Sequence, residues 1–328
     1  MKKMRASSKE RGAALLLAML TVTLVATLAS AALWQQWRSS EVEAAERQRL
    51  QAGWILVGAL DWARLILRED GRSNRTSGAA DHLGEPWATP LEEARLSSFL
   101  AADKNNSADD LMPAFLSGEI KDAQSRLNFG NLVRVSQTGS QSKVELSSAD
   151  LAMFERLFAL LNLPKPELEA ASANLLKTTE RALNDPEPST SPLTPQRFAQ
   201  LAWLGLSPST LQALRPHVTV LPERTLLNLN TVTPEVLSAS VPGLDLALAQ
   251  QVVAARDTMP FTKLEDAIQR IPGASQQSVS SQRHDVRSRF FEVYIRLRLD
   301  DTVIEERSLV QRDGLRTRVH WRERVAPS

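Results

Sequence analysis

The stretch KERGAALLLAMLTVTLVATLASAALWQQW, residues 9–37, decides how the chain is to be read. Lys2, Lys3, Arg5, Lys9 and Arg11 crowd its start with Glu10 as the lone acid, and Gly12 marks the border. From Ala13 to Leu33 there follow 21 residues without a charge. At a helical rise of about 1.5 Å per residue this run covers roughly 30 Å, the thickness of a bilayer's hydrocarbon core. The basic flank belongs on the cytoplasmic side, which puts everything after Leu33 across the membrane.

Beyond Leu33 the apolar residues do not stop. Trp34, Trp37, Leu50, Trp54, Val57, Leu60 and Leu67 recur at helical spacing, and no proline intervenes. The pattern predicts one helix from Ala13 to about Arg68, roughly 80 Å long at the same rise. An ordinary signal peptide is the competing expectation, with a small-residue cleavage site at Ala29-Ser30-Ala31 and a mature start at Ala32. Its apolar region is usually about 7–15 residues, shorter than this run, and cleavage there would cut the predicted helix in two.

The whole chain has 328 residues, with 39 Lys+Arg against 38 Asp+Glu and 43% hydrophobic residues. That balance argues against broad electrostatic attraction to nucleic acid and leaves room for two folded units. There is no cysteine, so disulfides and thiolate metal sites are excluded.

Residues 68–85 are polar and glycine-containing and read as an irregular loop. At its end Asp81-His82-Leu83-Gly84-Glu85-Pro86-Trp87-Ala88 is expected to tuck an indole against the core. Apolar and polar residues alternate through Leu116–Asp122 and again through Ser125–Phe129, which predicts a hairpin around a short Asp-Ala-Gln turn. The clearest strand is Arg289–Leu299. Phe291, Val293, Ile295, Leu297 and Leu299 fall on one face, Glu292, Tyr294, Arg296 and Arg298 on the other. Thr302–Arg312 and Leu315–Arg322 read as two more strands, with turns at Asp300-Asp301 and Asp313-Gly314. Between these β regions, from about Leu132 to Ser281, the pattern is helical, interrupted by a proline-rich connector at residues 184–195.

Thr225–Gly273 is similar to the helix-hairpin-helix modules of DNA-uptake and repair proteins. Thr233 caps a helix opened by Pro234, Val241-Pro242-Gly243-Leu244 turns, and Thr262 with Glu265 forms a capping box for another helix. Such modules hold phosphate on the N–H groups of a glycine-rich hairpin. Here Asp245 puts a carboxylate where the phosphate would sit. The segment carries Arg256, Lys263 and Arg270 against Glu235, Asp245, Asp257, Glu265 and Asp266, a balance of 3 − 5 = −2. No nucleic-acid partner is expected on this charge. A periplasmic DNA-binding protein with an ordinary signal peptide is the alternative function.

No catalytic constellation stands out and no enzyme activity is expected. His82, His217, His284 and His320 are far apart, and Ser140-Gln-Ser-Lys143 matches SxxK only within a polar stretch. Calcium is the one cofactor held open, on the alternating oxygens of Asp103, Asn105, Ser107 and Asp109-Asp110, which lack an EF-hand's central glycine and closing glutamate.

The leader, Gly12 and the apolar run resemble a type IV prepilin, in which prepilin peptidase cleaves after the glycine and Ala13 becomes a methylated N-terminus. Most pilins carry glutamate at the fifth mature position, where this chain has Leu17. Together with Asp81–Ala88 and a D-x-x-x-R-x-N stretch matched by Asp122, Arg126 and Asn128, these features resemble the general secretion pathway protein K family of type II secretion minor pseudopilins. The resemblance implies an α+β, type IV pilin-like fold: a long N-terminal helix and an antiparallel sheet with a large inserted α-helical domain that contains a helix-hairpin-helix (SAM-like) lobe. It implies a leader at 1–12, a transmembrane part at 13–33, a pilin-like body at 34–131 and 282–328, and an insert at 132–281 with two lobes joined near 184–195. It further implies a single-pass inner-membrane protein with a periplasmic C-terminal domain at the pseudopilus tip. Its partners would be the other minor pseudopilins, prepilin peptidase and the membrane.

Overall fold

The computed structural model describes residues 8–77, 80–96, 114–138, 141–184, 193–299 and 302–326. The chain divides into two compact units, Met1–Val57 and Gly58–Ser328. Helix α1, Ser8–Ser77, contributes to both.

In the first unit α1 is continuous through the apolar run, whose side chains from Gly12 to Leu33 are exposed.

In the second unit α1 ends beside a five-stranded antiparallel sheet. Its strands are β1 (Leu91–Arg95), β2 (Ala114–Asp122), β9 (Phe290–Leu299), β10 (Thr302–Asp313) and β11 (Arg316–Val325), in spatial order β1-β2-β9-β10-β11. Alternation in β9 works as read from the sequence: Phe291, Val293, Ile295, Leu297 and Leu299 are all buried. Their face of the sheet also carries Leu116, Ile120 and Val310 and meets Leu60, Ala63 and Leu67, spaced three and four apart on α1. Each of these Phe, Val, Ile and Leu side chains contributes about 1.5–3 kcal/mol by leaving water. Two tryptophans of α1 lie off the helix's own buried stripe. Trp54 is 75% and Trp62 56% exposed, because the helical period turns them away from the buried stripe.

Two expectations fail here for local reasons. The helix does not stop near Arg68 but runs on to Ser77. Arg312 of β10 pairs with Asp70, and Gly71 lets the helix backbone come against the β10–β11 turn, where a Cβ would lie 2.5 Å from the Gly314 carbonyl oxygen. The hairpin expected around Asp122 does not form either. Asp122 accepts from Gln124 N–H at 2.7 Å and bends residues 123–125 into a 3₁₀ turn. The chain then leaves the sheet, and β3 (Leu127–Asn128) pairs in parallel with β6 (Val218–Thr219).

Residues 148–270 are mostly helical: α2 (Ser148–Leu160), α3 (Lys165–Asn184), α4 (Pro208–Leu214), α5 (Pro234–Ser240), α6 (Leu246–Thr258) and α7 (Leu264–Arg270). A hairpin of β4 (Val133–Thr138) and β5 (Gln141–Leu146) precedes them, in a region read as helical from sequence; it is short, and its serines, glutamines and threonine hide the alternation. One continuous apolar cluster takes in Ala80 and then residues from Leu127 to Val286, including Phe129, Phe154, Leu201, Leu229, Val236 and Phe261. The segment returns to the sheet through β7 (Leu227–Asn228), which pairs in parallel with β8 (His284–Asp285).

Substituting Gly71→Ala is expected to lower stability by about 1–3 kcal/mol, the cost of overpacking a closed contact. Gly58→Ala, with open space around it, is expected to raise stability slightly by helix propensity alone. Urea denaturation of both variants checks the contrast.

Candidate functional site

The apolar run is built to sit in hydrocarbon. Its three threonines are satisfied by the helix itself: the hydroxyls of Thr21, Thr23 and Thr27 donate to the carbonyls of Ala18, Leu20 and Leu24 at 2.9, 2.9 and 2.8 Å. No open donor therefore enters the lipid from them. Trp34 and Trp37 close the run with exposed rings 5.4 Å apart, the residue type that settles at a membrane interface. The helix is long and apolar enough to cross a membrane, and the most apolar window has no buried residue. Gly12 lies inside α1, where a Cβ would meet nothing within 4 Å, and Ala13 beside it is exposed. Leu17 is 66% exposed on the same helix.

The sequence-singled residues of the second unit meet in a buried polar junction. Asp122, at the end of β2, accepts through Oδ2 from Asn228 Nδ2 (3.0 Å), Thr231 Oγ1 (2.6 Å) and Ser288 Oγ (2.6 Å). Arg126 pairs with Glu292 of β9 at 2.9 Å. Asn128 accepts from the N–H groups of Gly130 and Leu221, both at 3.1 Å, and donates to the Glu223 carbonyl at 2.9 Å. Each residue of the D-x-x-x-R-x-N stretch thus ties the start of the inserted segment to a distant part of the chain. The Asp81–Ala88 segment docks next to it. Asp81 accepts from Ser288 N–H at 2.6 Å and from Arg312 at 2.5 Å. Trp87 is buried edge-on to Phe291 at 5.1 Å, its indole N–H donating to Glu85 at 2.8 Å. Burial raises the Glu85 carboxyl above its ordinary range, against the pull of the His82 and Trp87 donors.

Oxygens of Asp70, Asp81 and Glu85 lie within 4.8 Å of one another, the grouping among the described residues that could hold a cation. The guanidinium of Arg312 already bridges two of the three, Asp70 and Asp81. The protein supplies the positive charge itself, and a divalent ion would have to displace it. Sequence reading missed this cluster because Asp70 and Arg312 are 242 positions apart. The calcium-like stretch Asp103–Asp110 lies outside the described residues.

The helix-hairpin-helix lookalike is real as local structure. Thr233 caps α5 with Pro234 in its first turn, and Gly243 takes a φ of 82° in the hairpin. Asp245 caps α6, accepting from Leu248 N–H at 2.8 Å. Its carboxylate occupies the helix N-terminus that a phosphate would use. One detail differs: α7 is capped through Asp266, not Glu265. The Asp266 carboxylate accepts from Thr262 N–H (3.0 Å) and Oγ1 (2.5 Å) and from Lys263 N–H (3.1 Å), since α7 begins one residue later than expected.

An antiparallel sheet interrupted by a helical segment, in a chain whose N-terminal helix is long and apolar enough to cross a membrane, is a pilin-like fold with an inserted domain. Residues 227–287 match the family profile described as type II secretion system (T2SS), protein K. The type II secretion system protein K of Pseudomonas aeruginosa is 25% identical over 311 residues, covering 89% of this chain and 86% of that protein. A chain of the crystal structure of the GspK-GspI-GspJ complex from the enterotoxigenic Escherichia coli type 2 secretion system superposes with a TM-score of 0.65 at 17% identity, covering 86% of this chain and 99% of that one. The last comparison shows the shared fold. All three comparisons agree that the chain is similar to type II secretion system protein K, a minor pseudopilin of a structural and non-enzymatic family.

A buried histidine lies near the end of the matched stretch. His284 is 1% exposed and its Nδ1 accepts from Ser280 N–H at 3.3 Å. Burial, helped by Arg283, lowers its pKa to about 4. Burial does the opposite to Asp122, raising it to about 6 although Ser288, Thr231 and Gln124 donate to it. The signs oppose. Stability from neutral His284 is complete above its unfolded value near 6.5 and is lost as pH falls toward 4. Stability from protonated Asp122 is complete below 3.8 and is lost as pH rises through about 6. His284→Gln is therefore expected to lose less stability than the parent on acidification from pH 7 to 4, by up to about 3 kcal/mol. Asp122→Asn is expected to lose less than the parent as pH rises from about 4 to 6. Urea denaturation of the detergent-solubilised chain across this range checks both slopes; equal slopes in parent and variants would contradict them.

Proposed function

We propose that this minor pseudopilin occupies the tip of a type II secretion pseudopilus, where it starts and caps assembly for protein export across the outer membrane. The observation that carries the proposal is an anchor with no carboxylate from Ala13 to Leu33, Leu17 included. A buried carboxylate in lipid needs a partner, and in pilins the glutamate of one subunit is thought to pair with the terminal amine of a neighbour. A subunit without that glutamate has no such charge to satisfy and suits an end with nothing above it.

The remaining parts follow from this placement. Prepilin peptidase cleaves after Gly12 and Ala13 becomes the methylated N-terminus. Ala13–Leu33 crosses the inner membrane once, leaving the C-terminal domain in the periplasm. Residues 34–131 and 282–328 form the pilin-like body and 132–281 the insert, whose bulk blocks addition of a further subunit. The partners are the other minor pseudopilins of the tip, a proposal supported by the likeness to a chain from a three-protein complex. The negative balance of Thr225–Gly273 and the Asp245 cap favour a packing role for the helix-hairpin-helix lobe over nucleic-acid binding.

N-terminal mass spectrometry of the protein from its native membrane tests the processing. A methylated Ala13 start is expected, abolished in Gly12→Asp or when prepilin peptidase is deleted. A start at Ala32 would mean ordinary signal-peptidase processing and would end the tip assignment.

A further inference from the structure

Strand β11 forms one edge of the sheet, in register with β10 from Glu305↔Val325 to Asp313↔Arg316. Among the described residues no other strand pairs with it, and none of its ten residues is buried. The opposite edge is shorter: β1 has five residues and, like β11, a register shift, here between Leu91 and Ala94. A ten-residue edge, open apart from the Thr317 carbonyl that accepts from Arg64 of α1 at 3.3 Å, is a template for another strand.

The side chains on this edge say which strand. Arg316, Arg318, Arg322 and Arg324 are all exposed. A bulge between Leu309↔Trp321 and Val310↔Val319 changes the parity of the strand. Arg316 and Arg318 stand opposite Asp313 and Gln311 on one face, while Arg322 and Arg324 stand opposite Ser308 and Glu306 on the other. Both faces of the edge are thus cationic. Arg322 is neutralised by Glu306 at 2.8 Å, whereas Arg316, Arg318 and Arg324 have no ion pair among the described residues. The strand itself is held firmly: Trp321 lies under the guanidinium groups of Arg197 and Arg307, at 5.4 and 5.3 Å from its ring centre. Glu323 pairs with Arg197 at 2.7 Å.

A second copy of this chain is a poor occupant, because two such edges would set arginines against arginines and like charges across a pair destabilise it. An acidic strand meets the opposite condition. We propose that the free edge of β11 accepts an extended, Asp/Glu-bearing strand of another pseudopilin and so lengthens the sheet across the subunit boundary. Backbone pairing supplies the affinity, and the arginines choose the partner and speed its arrival. The proposal rests on the assembly with other minor pseudopilins put forward above. If the arginines serve only to keep the edge unpaired, no such strand binds.

The test uses the full-length chain reconstituted with the two other minor pseudopilins, with Arg316→Gln, Arg318→Gln and Arg324→Gln combined in one variant. These residues make no ion pair among the described residues, so the variant is expected to melt as the parent does. In the parent assembly, backbone amides of residues 318–324 are expected to exchange hydrogen about tenfold more slowly than in the free chain. The variant is expected to bind about tenfold more weakly, with the difference shrinking at high salt. Assembly without β11 protection, or a variant that binds as the parent does, overturns edge pairing alone. Weakened binding without protection also overturns it, assigning the arginines to a side-chain contact. Failure of the parent to assemble at all overturns the choice of partners and the edge proposal with it.

Discussion

The Asp122 carboxylate holds together parts of the chain that would otherwise have no reason to meet. It ends a strand of the pilin-like sheet, and its acceptor sites are filled by Asn228 and Thr231 from the inserted segment and by Ser288 from the return to the sheet. A buried carboxylate is costly unless those sites are filled, so the arrangement fixes where the insert leaves and re-enters. Arg312, two strands away, performs the matching task for the end of α1 by engaging Asp70 and Asp81 while donating to the Ser288 carbonyl at 3.0 Å. Ser288 is the shared residue. Helix end, sheet and insert are therefore coupled through one buried set of hydrogen bonds.

This coupling explains why the short motifs of the sequence are where they are. Asp81-His-Leu-Gly-Glu-Pro-Trp-Ala88 is a connector whose acids meet Arg312 and Trp87 and whose indole completes the core over Phe291. Asp122, Arg126 and Asn128 stand at successive points of one departure from the sheet, and each finds a partner far along the chain. Motifs of this kind have no chemistry to perform. Their residues are specified by the need to satisfy polar groups at a junction that water does not reach.

Sequence periodicity made some of the fold legible and hid the rest, for physical reasons. The membrane helix and the strands β9 to β11 were readable because a single local period dictates each, 3.6 residues in one case and two in the other. The expected hairpin at Asp122 failed because alternation reports which face is buried but not which strand lies alongside. The partners of β2 proved to be β1 and β9, and β9 begins only at Phe290. The end of α1 was misplaced because Gly71 looks like a helix breaker until the close approach of the Gly314 backbone gives it a reason. At the anchor, Gly12 and Leu17 were conspicuous through the contrast with their surroundings. The open edge of β11 could not be read at all, since strand order is not written in any local pattern.

The strand order β1-β2-β9-β10-β11 also sets a timetable. Strand β2 is complete at Asp122, but its neighbour β9 does not begin until Phe290. At about 5–20 residues per second, a ribosome needs roughly ten to thirty seconds to cover that interval. Throughout it the nascent chain already exposes its N-terminal apolar helix and two of the five strands of a sheet whose central strand does not yet exist. The intervening helical segment, with a core of its own, can settle first and bring Asn228 and Thr231 to Asp122 before the last strands arrive. The insert would then serve during synthesis as the splint on which the interrupted sheet is closed.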